Sequence, residues 1–249
     1  MLTPERQQLI LKTVKNDHTS KIKRLVEVTG ASESTIRRDL DQLEEKGLLR
    51  RVHGGASLRS SASEEPPMIE KITKFHNEKK AIAKSAASLV QDGDCIFIDA
   101  GSTTYEMIPL LKEKNIIVVT NGLSHLDVLN KHQIKTYVLG GHVKHQTGAV
   151  VGAGAIKNLQ QYRFDQCFIG ANGVTLTDGY TTPDPDEAAI KQMTLTLSTN
   201  RYILVDHSKF EEVAFLKFAD LSDAEMITNY NGKAIEEYRR KTNIKVVTT

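Results

Sequence analysis

The chain has 249 residues, 39% of them hydrophobic, which is enough for one large or two ordinary domains with buried cores. Its apolar runs are strand-sized and no secretory signal is visible, so the sequence disfavours a membrane protein and predicts a cytoplasmic one. Residues 1–60 hold twelve Lys and Arg against eight Asp and Glu, a balance of +4 that leaves −2 for the rest. This split is typical of a nucleic-acid module joined to a domain with another task.

The first part of the chain shows three helical patterns followed by a two-stranded one. The predicted helices cover residues 3–15, 21–28 and 32–47. Gly30 supplies the turn between the second and third helices, and Ser32 is a good N-cap because its hydroxyl can accept an unpaired backbone N–H. Residues 48–56 predict a strand, a tight turn and a returning strand. Together these elements predict a winged helix-turn-helix over residues 1–57.

The third predicted helix presents polar side chains on its outward face, because its apolar residues repeat at helical spacing on the other face. Hydroxyls and guanidinium groups suit base edges and phosphates in a DNA groove, and the basic wing suits phosphates or the minor groove. The arginines could also form an ordinary solvated surface. Asp39, whose charge disfavours DNA contact, is expected to orient an arginine. The candidate DNA-binding residues are Ser32, Ser34, Thr35, Arg37, Arg38, Arg50, Arg51 and His53.

Residues 58–74 are predicted to be a linker, and residues 75–249 an effector-binding domain. The linker prediction depends on residues 57–67, which lack periodicity and end in two prolines. A long helical pattern then covers residues 68–90. Its apolar stripe could couple the two domains or simply pack against a core.

Beyond residue 94, predicted strands alternate with predicted helices. The strands lie at residues 95–98, 116–119, 136–139, 167–169, 202–205, 226–228 and 245–247. The helices lie at about residues 103–112, 124–131, 153–160, 186–197 and 235–241. This alternation predicts an α/β fold with a mostly parallel sheet and helices on both faces. Ligands of such sheets bind outside the carboxyl ends of the strands.

Polar or glycine-rich turns follow four of these strands, at what would be one edge of the sheet. The turn at residues 99–104 opens a helix, so its N–H groups, hydroxyls and helix dipole suit a phosphate, although ordinary turns have the same composition. The other turns lie at residues 120–122, 140–142 and 170–173. Their convergence favours a ligand site, and Lys209, which follows a later strand, could reach an anionic ligand there.

The N-terminal motifs, at residues 32–40, Leu43 and residues 50–56, resemble those of the DeoR family of bacterial transcriptional repressors. The C-terminal part resembles the sensor domain of that family, whose fold is shared with ribose-5-phosphate isomerase and CoA-transferase-like proteins. The resemblance implies that the first loop holds a sugar phosphate. It implies an effector site of Asp99, Gly101, Ser102, Thr103, Thr104, Asn121, Gly141, Asn172, Glu187 and Lys209. For Glu187, four residues before Lys191 on a predicted helix, a surface ion pair is the competing interpretation.

The resemblance also implies the partners. They are double-stranded operator DNA, a phosphorylated sugar and further copies of the chain in a homodimer or homotetramer. Residues 1–7 and 31–35 look most like the fructose-operon repressors of the family, which implies fructose 1-phosphate as effector. Tagatose, glycerol and deoxyribose phosphates are the alternatives, and an activator would have the same architecture.

An isomerase with a DNA-binding head is the alternative from another class. Sugar isomerisation needs a base beside the carbonyl, and isomerases of this fold carry an Asp-Gly-Ala-Asp-Glu run after the fourth strand. The corresponding run here has Asn172 and no carboxylate, so we expect no catalytic residues and no enzyme activity. We also expect no metal site and no cofactor, with Cys95 and Cys167 as buried small hydrophobic residues.

Overall fold

The computed structural model describes residues 2–17, 19–52, 54–58 and 65–248. The chain forms two compact units, Met1–Ser61 and Ala62–Thr249, and each has its own hydrophobic core. Among the described residues, no helix combines the length and the apolar content that a bilayer span requires.

The first unit combines three helices with a small antiparallel sheet. The helices are α1 (Thr3–Asp17), α2 (Ile22–Thr29) and α3 (Glu33–Glu45). The strands are β1 (Thr19–Lys21), β2 (Leu49–Val52) and β3 (Gly55–Leu58), in the order β1-β3-β2. Its core includes the fully buried Ile10, Leu25, Ile36 and Leu40. The predicted winged helix-turn-helix is confirmed. Strand β1 was not predicted, because a strand of three residues is too short to show an alternating pattern.

Two glycines fix the turns of this unit. Gly30 has a φ of +68° and donates its N–H to the carbonyl of Val26, so it ends α2 in a conformation that favours glycine. Gly55 lies where β3 pairs with β1, and a Cβ there would come within 2.2 Å of the carbonyl oxygen of Ser20. The turn into α3 and the pairing of β3 with β1 therefore both depend on glycine.

The second unit is built on a seven-stranded sheet in which all neighbouring strands are parallel. The strands are β4 (Cys95–Ile98), β5 (Ile117–Thr120), β6 (Lys135–Val138), β9 (Phe164–Gly170), β12 (Ser198–Val205), β14 (Glu225–Thr228) and β15 (Ile244–Val246). Their order is β15-β14-β12-β9-β4-β5-β6. Along β4, Phe97 belongs to one buried cluster and Ile96 and Ile98 to another, so both faces of the sheet are covered. The predicted α/β fold is confirmed.

Helices and short hairpins surround this sheet. The helices are α4 (Met68–Thr73), α5 (His76–Ala87), α6 (Ser102–Tyr105), α7 (Leu123–Lys131), α8 (Ala153–Leu159), α9 (Pro185–Thr196) and α10 (Ile235–Arg239). Outside the sheet, β7 (His142–Lys144) pairs with β8 (Ala149–Val151), and β10 (Gly173–Thr175), β11 (Gly179–Thr182) and β13 (Leu216–Ala219) form a second antiparallel sheet. These short strands were not predicted.

Two predicted helices are interrupted. The pattern at residues 68–90 forms α4 and α5, separated at Phe75, whose φ of +54° cannot continue a right-handed helix. The pattern at residues 103–112 forms α6 and then a 3-10 helix that contains Pro109. Proline lacks the N–H that a continuous α-helix needs, which explains the second break.

Within the segment predicted as a linker, residues 58–74, the part from Glu65 onward contains buried side chains and a helix. Glu65 is 5% exposed and Met68 is 9% exposed, and α4 belongs to the second unit. Two prolines and several acidic residues are typical of an exposed chain. The sequence pattern could not show that Glu65 has partly buried cationic partners, which are described below.

The cysteines differ from each other. Cys167 is fully buried, as expected, and burial raises the pKa of its thiol to about 12. Cys95 is only partly buried. Within the described ranges, no three His, Cys, Asp or Glu side chains are grouped as a metal site would require.

Candidate functional site

The N-terminus of α3 carries a linked set of hydroxyl groups. Ser32 is the N-cap, and its Oγ accepts the backbone N–H of Thr35 at 3.3 Å. The same Oγ lies 3.0 Å from the hydroxyl of Ser34 and 2.8 Å from that of Thr35. Ser32 and Ser34 are exposed. Capping thus orders the helix end that helix-turn-helix proteins insert into the major groove.

Arg37 and Arg38 are exposed on the face of α3 opposite the buried Ile36 and Leu40. The guanidinium of Arg37 lies 2.6 Å from the carboxylate of Glu33, in an exposed pair of small energetic value. Among the described residues, Arg38 has no carboxylate partner within ion-pair distance. A new partner of Arg37 would therefore have to replace Glu33, whereas a new partner of Arg38 would displace no described carboxylate.

Arg51 connects the wing to α3 through two polar contacts. Its guanidinium is ion-paired with Asp41, and its backbone N–H donates to the carboxylate of Glu44 at 2.7 Å. The side chain of Arg50 and the whole of His53 lie outside the described residues. Their assignment to DNA stays a prediction.

Asp39 lies on the inner side of α3 and is 2% exposed. The guanidinium of Arg6 in α1 donates to both of its carboxylate oxygens, at 2.5 and 3.2 Å. Beside this pair, the amide of Gln7 donates to the side-chain oxygen of Gln42 at 2.7 Å. Asp39 thus has an arginine partner, and that partner belongs to α1. The pair fixes the position of α3 within the first unit.

In the second unit, the loop after β4 is braced by two buried side chains. The hydroxyl of Thr104 lies 2.6 Å from the carbonyl oxygen of Asp99 and accepts the N–H of Gly101 at 3.1 Å. The side-chain oxygen of Asn121 accepts the N–H of Ala100 at 3.0 Å. Thr104 and Asn121 are 0% and 1% exposed. Their polar atoms hold the shape of the loop, and their assignment to the effector site stays a prediction.

Ser102 and Thr103 differ from these braces. Both lie in the first turn of α6, and their side chains form no hydrogen bond with any described residue. They are 8% and 7% exposed. Two sheltered hydroxyls at a loop edge can donate to an anionic ligand.

A buried lysine binds the carboxylate of Asp99. The Nζ of Lys191 lies 2.5 Å from Oδ2 of Asp99 and 3.0 Å from the carbonyl oxygen of Gly170. The N–H of Gly170 donates to the same carboxylate oxygen at 3.0 Å. Burial opposes the charge of Lys191, but Asp99 outweighs it, and the pKa of the lysine is raised. Asp99 is therefore the counter-ion of Lys191.

The surface ion pair considered for Glu187 and Lys191 is not present. Glu187 is 7% exposed and accepts from the Nζ of Lys144 at 3.0 Å and from the hydroxyl of Thr147 at 2.9 Å. Lys191 is 5% exposed and binds Asp99. Both side chains point into the unit and find partners from other elements, so a surface pair was the wrong interpretation.

Two further predicted residues follow strands at the same edge. The amide nitrogen of Asn172 donates to the carboxylate of Glu65 at 3.1 Å, and its oxygen accepts the hydroxyl of Thr182 at 3.1 Å. A Cβ on Gly141 would come within 2.6 Å of the carbonyl oxygen of Val151. Asn172 thus offers polar atoms to the site, whereas Gly141 permits close packing.

Three lysines near α6 form a cluster that the sequence analysis only partly found. The lysine cluster consists of Lys71 in α4, Lys79 in α5 and Lys209 after β12. Helices α4 and α5 both pack against α6, and the Nζ of Lys79 donates to the carbonyl oxygen of Lys71. In the described parts of the chain, neither Lys79 nor Lys209 has a carboxylate within ion-pair distance.

Burial lowers the pKa of Lys79 to about 8. Attraction by the carboxylates of Asp206 and Glu106 opposes this shift, and repulsion by Lys209 and Lys71 adds to it. Lys79 is only 3% exposed and stands three residues before the buried Ile82. The position of this lysine in the apolar stripe of a helix is the sequence feature from which its burial could have been predicted. A buried ammonium group repelled by its neighbours is stabilised by an anion, so this arrangement suits a phosphate.

Two family models match the chain, the "DeoR-like helix-turn-helix domain" over residues 6–62 and the "DeoR C terminal sensor domain" over residues 74–229. The chain is 49% identical over 249 residues to the "Uncharacterized HTH-type transcriptional regulator FruR" of Bacillus subtilis, covering 99% of each protein. It is 33% identical to the "Lactose phosphotransferase system repressor" of Staphylococcus epidermidis, covering 98% of each. These relatives are regulators of transcription and not enzymes.

Among solved structures, ribose 5-phosphate isomerase A of Methanocaldococcus jannaschii is similar with a TM-score of 0.41 and 21% identity, over 54% of each chain. A second similar structure is eIF2B delta of Chaetomium thermophilum. Its TM-score is 0.43 with 14% identity, over 56% of this chain and 50% of that one.

Proposed function

The chain belongs to the DeoR family of transcriptional regulators, and we propose that it represses an operon for the use of a sugar until a phosphorylated sugar binds it. In this proposal, residues 1–57 bind operator DNA and residues 75–249 bind the effector. The protein acts in the cytoplasm, where the operator lies.

Helix α3 reads the operator in this proposal. The exposed Arg37 and Arg38 offer bidentate contacts to guanine, and the capped hydroxyls beside them suit bases or phosphates. The wing arginines, Arg50 and Arg51, contact phosphates or the minor groove together with His53. A single winged helix makes few contacts, so we propose that a homodimer or homotetramer reads repeated half-sites.

The observation that carries the effector proposal is the lysine cluster, because the helices of Lys71 and Lys79 pack against α6, which begins with Ser102 and Thr103. Its ammonium groups repel one another, and Lys79 and Lys209 have no carboxylate partner among the described residues. A phosphate dianion supplies the missing negative charge and acceptor oxygens for both hydroxyls. The sugar hydroxyls then face Asn172 and Glu187, which offer an amide and a carboxylate.

We propose fructose 1-phosphate as the effector. The support is the similarity of residues 1–7 and 31–35 to fructose-operon repressors of the family. Tagatose, glycerol and deoxyribose phosphates are the alternatives. The effector binds more tightly to the arrangement of the sensor units that misplaces the DNA-binding units. By linkage, the free energy that the effector gains from this preference equals the free energy that DNA binding loses.

A gel shift on the DNA upstream of the gene tests this function. The purified chain is incubated with that DNA and with fructose 1-phosphate, the alternative phosphates, free fructose or inorganic phosphate. We expect a retarded complex that fructose 1-phosphate dissociates and free fructose does not. A complex that no sugar phosphate changes would contradict the effector proposal, and a tighter complex would favour an activator.

A further inference from the structure

Residues 65–73, which we call the strap, belong to the second unit. The hairpin of β7 and β8 holds them through hydrogen bonds. The side-chain amide of Gln146 donates to the carbonyl oxygen of Glu65, and its backbone carbonyl accepts the N–H of Met68 at 3.1 Å. Met68 itself is buried. Gln146 therefore holds the beginning of the strap through both its side chain and its backbone.

Glu65 places its carboxylate among the polar groups proposed to bind the sugar. It accepts from the amide of Asn172 at 3.1 Å and from the Nζ of Lys144 at 2.7 Å, and Lys71 donates to it as well. Burial alone would favour the neutral acid, but Lys71 and Lys144 hold the pKa of this carboxyl at about 2. Glu65 is thus a charged group with three partners in a sheltered position.

Two of these partners are shared with the proposed effector site. Lys71 belongs to the lysine cluster, where Lys209 repels it, and Asn172 is a predicted effector residue. A phosphate at the cluster competes with Glu65 for Lys71 and repels its carboxylate. Lys71 can pair closely with only one of the two anions, and the two anions repel each other, so the binding of each weakens the binding of the other.

We propose that Glu65 is an internal ligand of the sensor site, and that an anionic ligand at the lysine cluster displaces it and releases the strap. This inference rests on the proposed function, because it takes a sugar phosphate as the displacing anion. Only six residues separate Leu58, the last residue of β3, from Glu65. Release of the strap frees the chain that leads from the DNA-binding unit, and so links effector occupancy to operator affinity.

Hydrogen exchange on the full-length chain tests the role of Glu65 without a ligand. Glu65→Gln removes the charge and keeps the shape, and Glu70→Gln, which changes an exposed residue of the same strap, is the matched control. We expect the amides of residues 65–73 to exchange about tenfold faster in Glu65→Gln than in the wild type and the control. Unchanged protection in β4 and β9 verifies folding. Equal exchange of the strap in all three proteins overturns the proposal.

Fructose 1-phosphate, with inorganic phosphate as a second probe, tests displacement. In the wild type we expect the amides of the strap to exchange faster when either probe is bound. Calorimetry should show that fructose 1-phosphate binds Glu65→Gln about tenfold more tightly than the wild type, because the competing carboxylate is gone. Slower exchange, or weaker binding by the variant, would overturn displacement and make Glu65 a direct ligand of the sugar. If the wild type binds neither probe, the proposal that a sugar phosphate is the effector is wrong. The hydrogen-exchange comparison without ligand still tests whether Glu65 holds the strap.

Discussion

The Nζ of Lys191 in α9 lies 2.5 Å from Oδ2 of Asp99, and both side chains are buried. This pair joins a helix to the loop after β4, on which Ser102 and Thr103 stand. A buried pair adds little stability by itself, because both charges lose their hydration, but either charge left alone is costly.

Lys191→Met should therefore destabilise the second unit by about 3–5 kcal/mol, because it leaves the carboxylate of Asp99 buried without its counter-ion. Urea unfolding followed by circular dichroism measures the change. Lys131→Met removes an exposed lysine from α7 and should change stability by less than about 0.5 kcal/mol. Equal effects of the two substitutions would contradict the importance of the buried pair.

Arg38→Gln should weaken operator binding by about 10- to 100-fold and reduce its dependence on salt, because it removes an exposed cation from the groove-facing side of α3. Fluorescence anisotropy with labelled operator DNA at several salt concentrations measures both quantities. Arg240→Gln makes the same change on the surface of the second unit and should bind DNA like the wild type. If Arg38→Gln matches this control, α3 does not contact DNA through Arg38.

Lys79→Met should stabilise the protein without effector by about 1–2 kcal/mol and weaken binding of the sugar phosphate. The stability gain is expected because the lysine is buried near two other positive charges, and the loss of binding because the phosphate loses a donor. Thermal unfolding and calorimetry measure the two effects. Lys80→Met, at the exposed neighbouring position, should show neither of them. A variant that loses stability would refute the electrostatic cost assigned to Lys79.

The pKa of Lys79 also predicts a pH dependence. Its value of about 8 in the folded protein lies below its ordinary value of 10.5, so between these values the unfolded chain binds more protons. The stability of the effector-free protein should therefore gain a contribution from Lys79 as pH rises from 8 to 10.5. Effector affinity should fall over the same rise, because the phosphate needs the charged lysine. Both trends should be smaller in Lys79→Met, and an identical pH profile would exclude Lys79 as their source.

Much of the fold could be predicted because its elements have strong local patterns. The stripe of Ile36 and Leu40, the cap at Ser32 and the alternation of strands with helices are all properties of neighbouring residues. The break at Phe75 was not predictable in this way. A positive φ at a phenylalanine leaves no mark in the local pattern of apolar residues.

The site was harder to predict than the fold. Sequence reasoning brought Asp99, Asn172 and Lys209 to one edge of the sheet, because strand ends follow from the topology. It could not separate Thr104, whose hydroxyl braces the loop, from Ser102, whose hydroxyl is unused among the described residues. That distinction depends on side-chain direction. Glu65 was missed because two of its three partners lie far away in sequence, Lys144 79 residues and Asn172 107 residues further along.

The central claim is that an anion at the lysine cluster controls operator binding, and effector-induced release of operator DNA tests it most directly. Anisotropy of labelled operator DNA is followed during titration with fructose 1-phosphate, for the wild type, Lys79→Met and Lys80→Met. We expect all three to bind DNA alike without effector, and Lys79→Met to need at least about tenfold more sugar phosphate for release. Equal release of DNA from Lys79→Met and the wild type would contradict the claim.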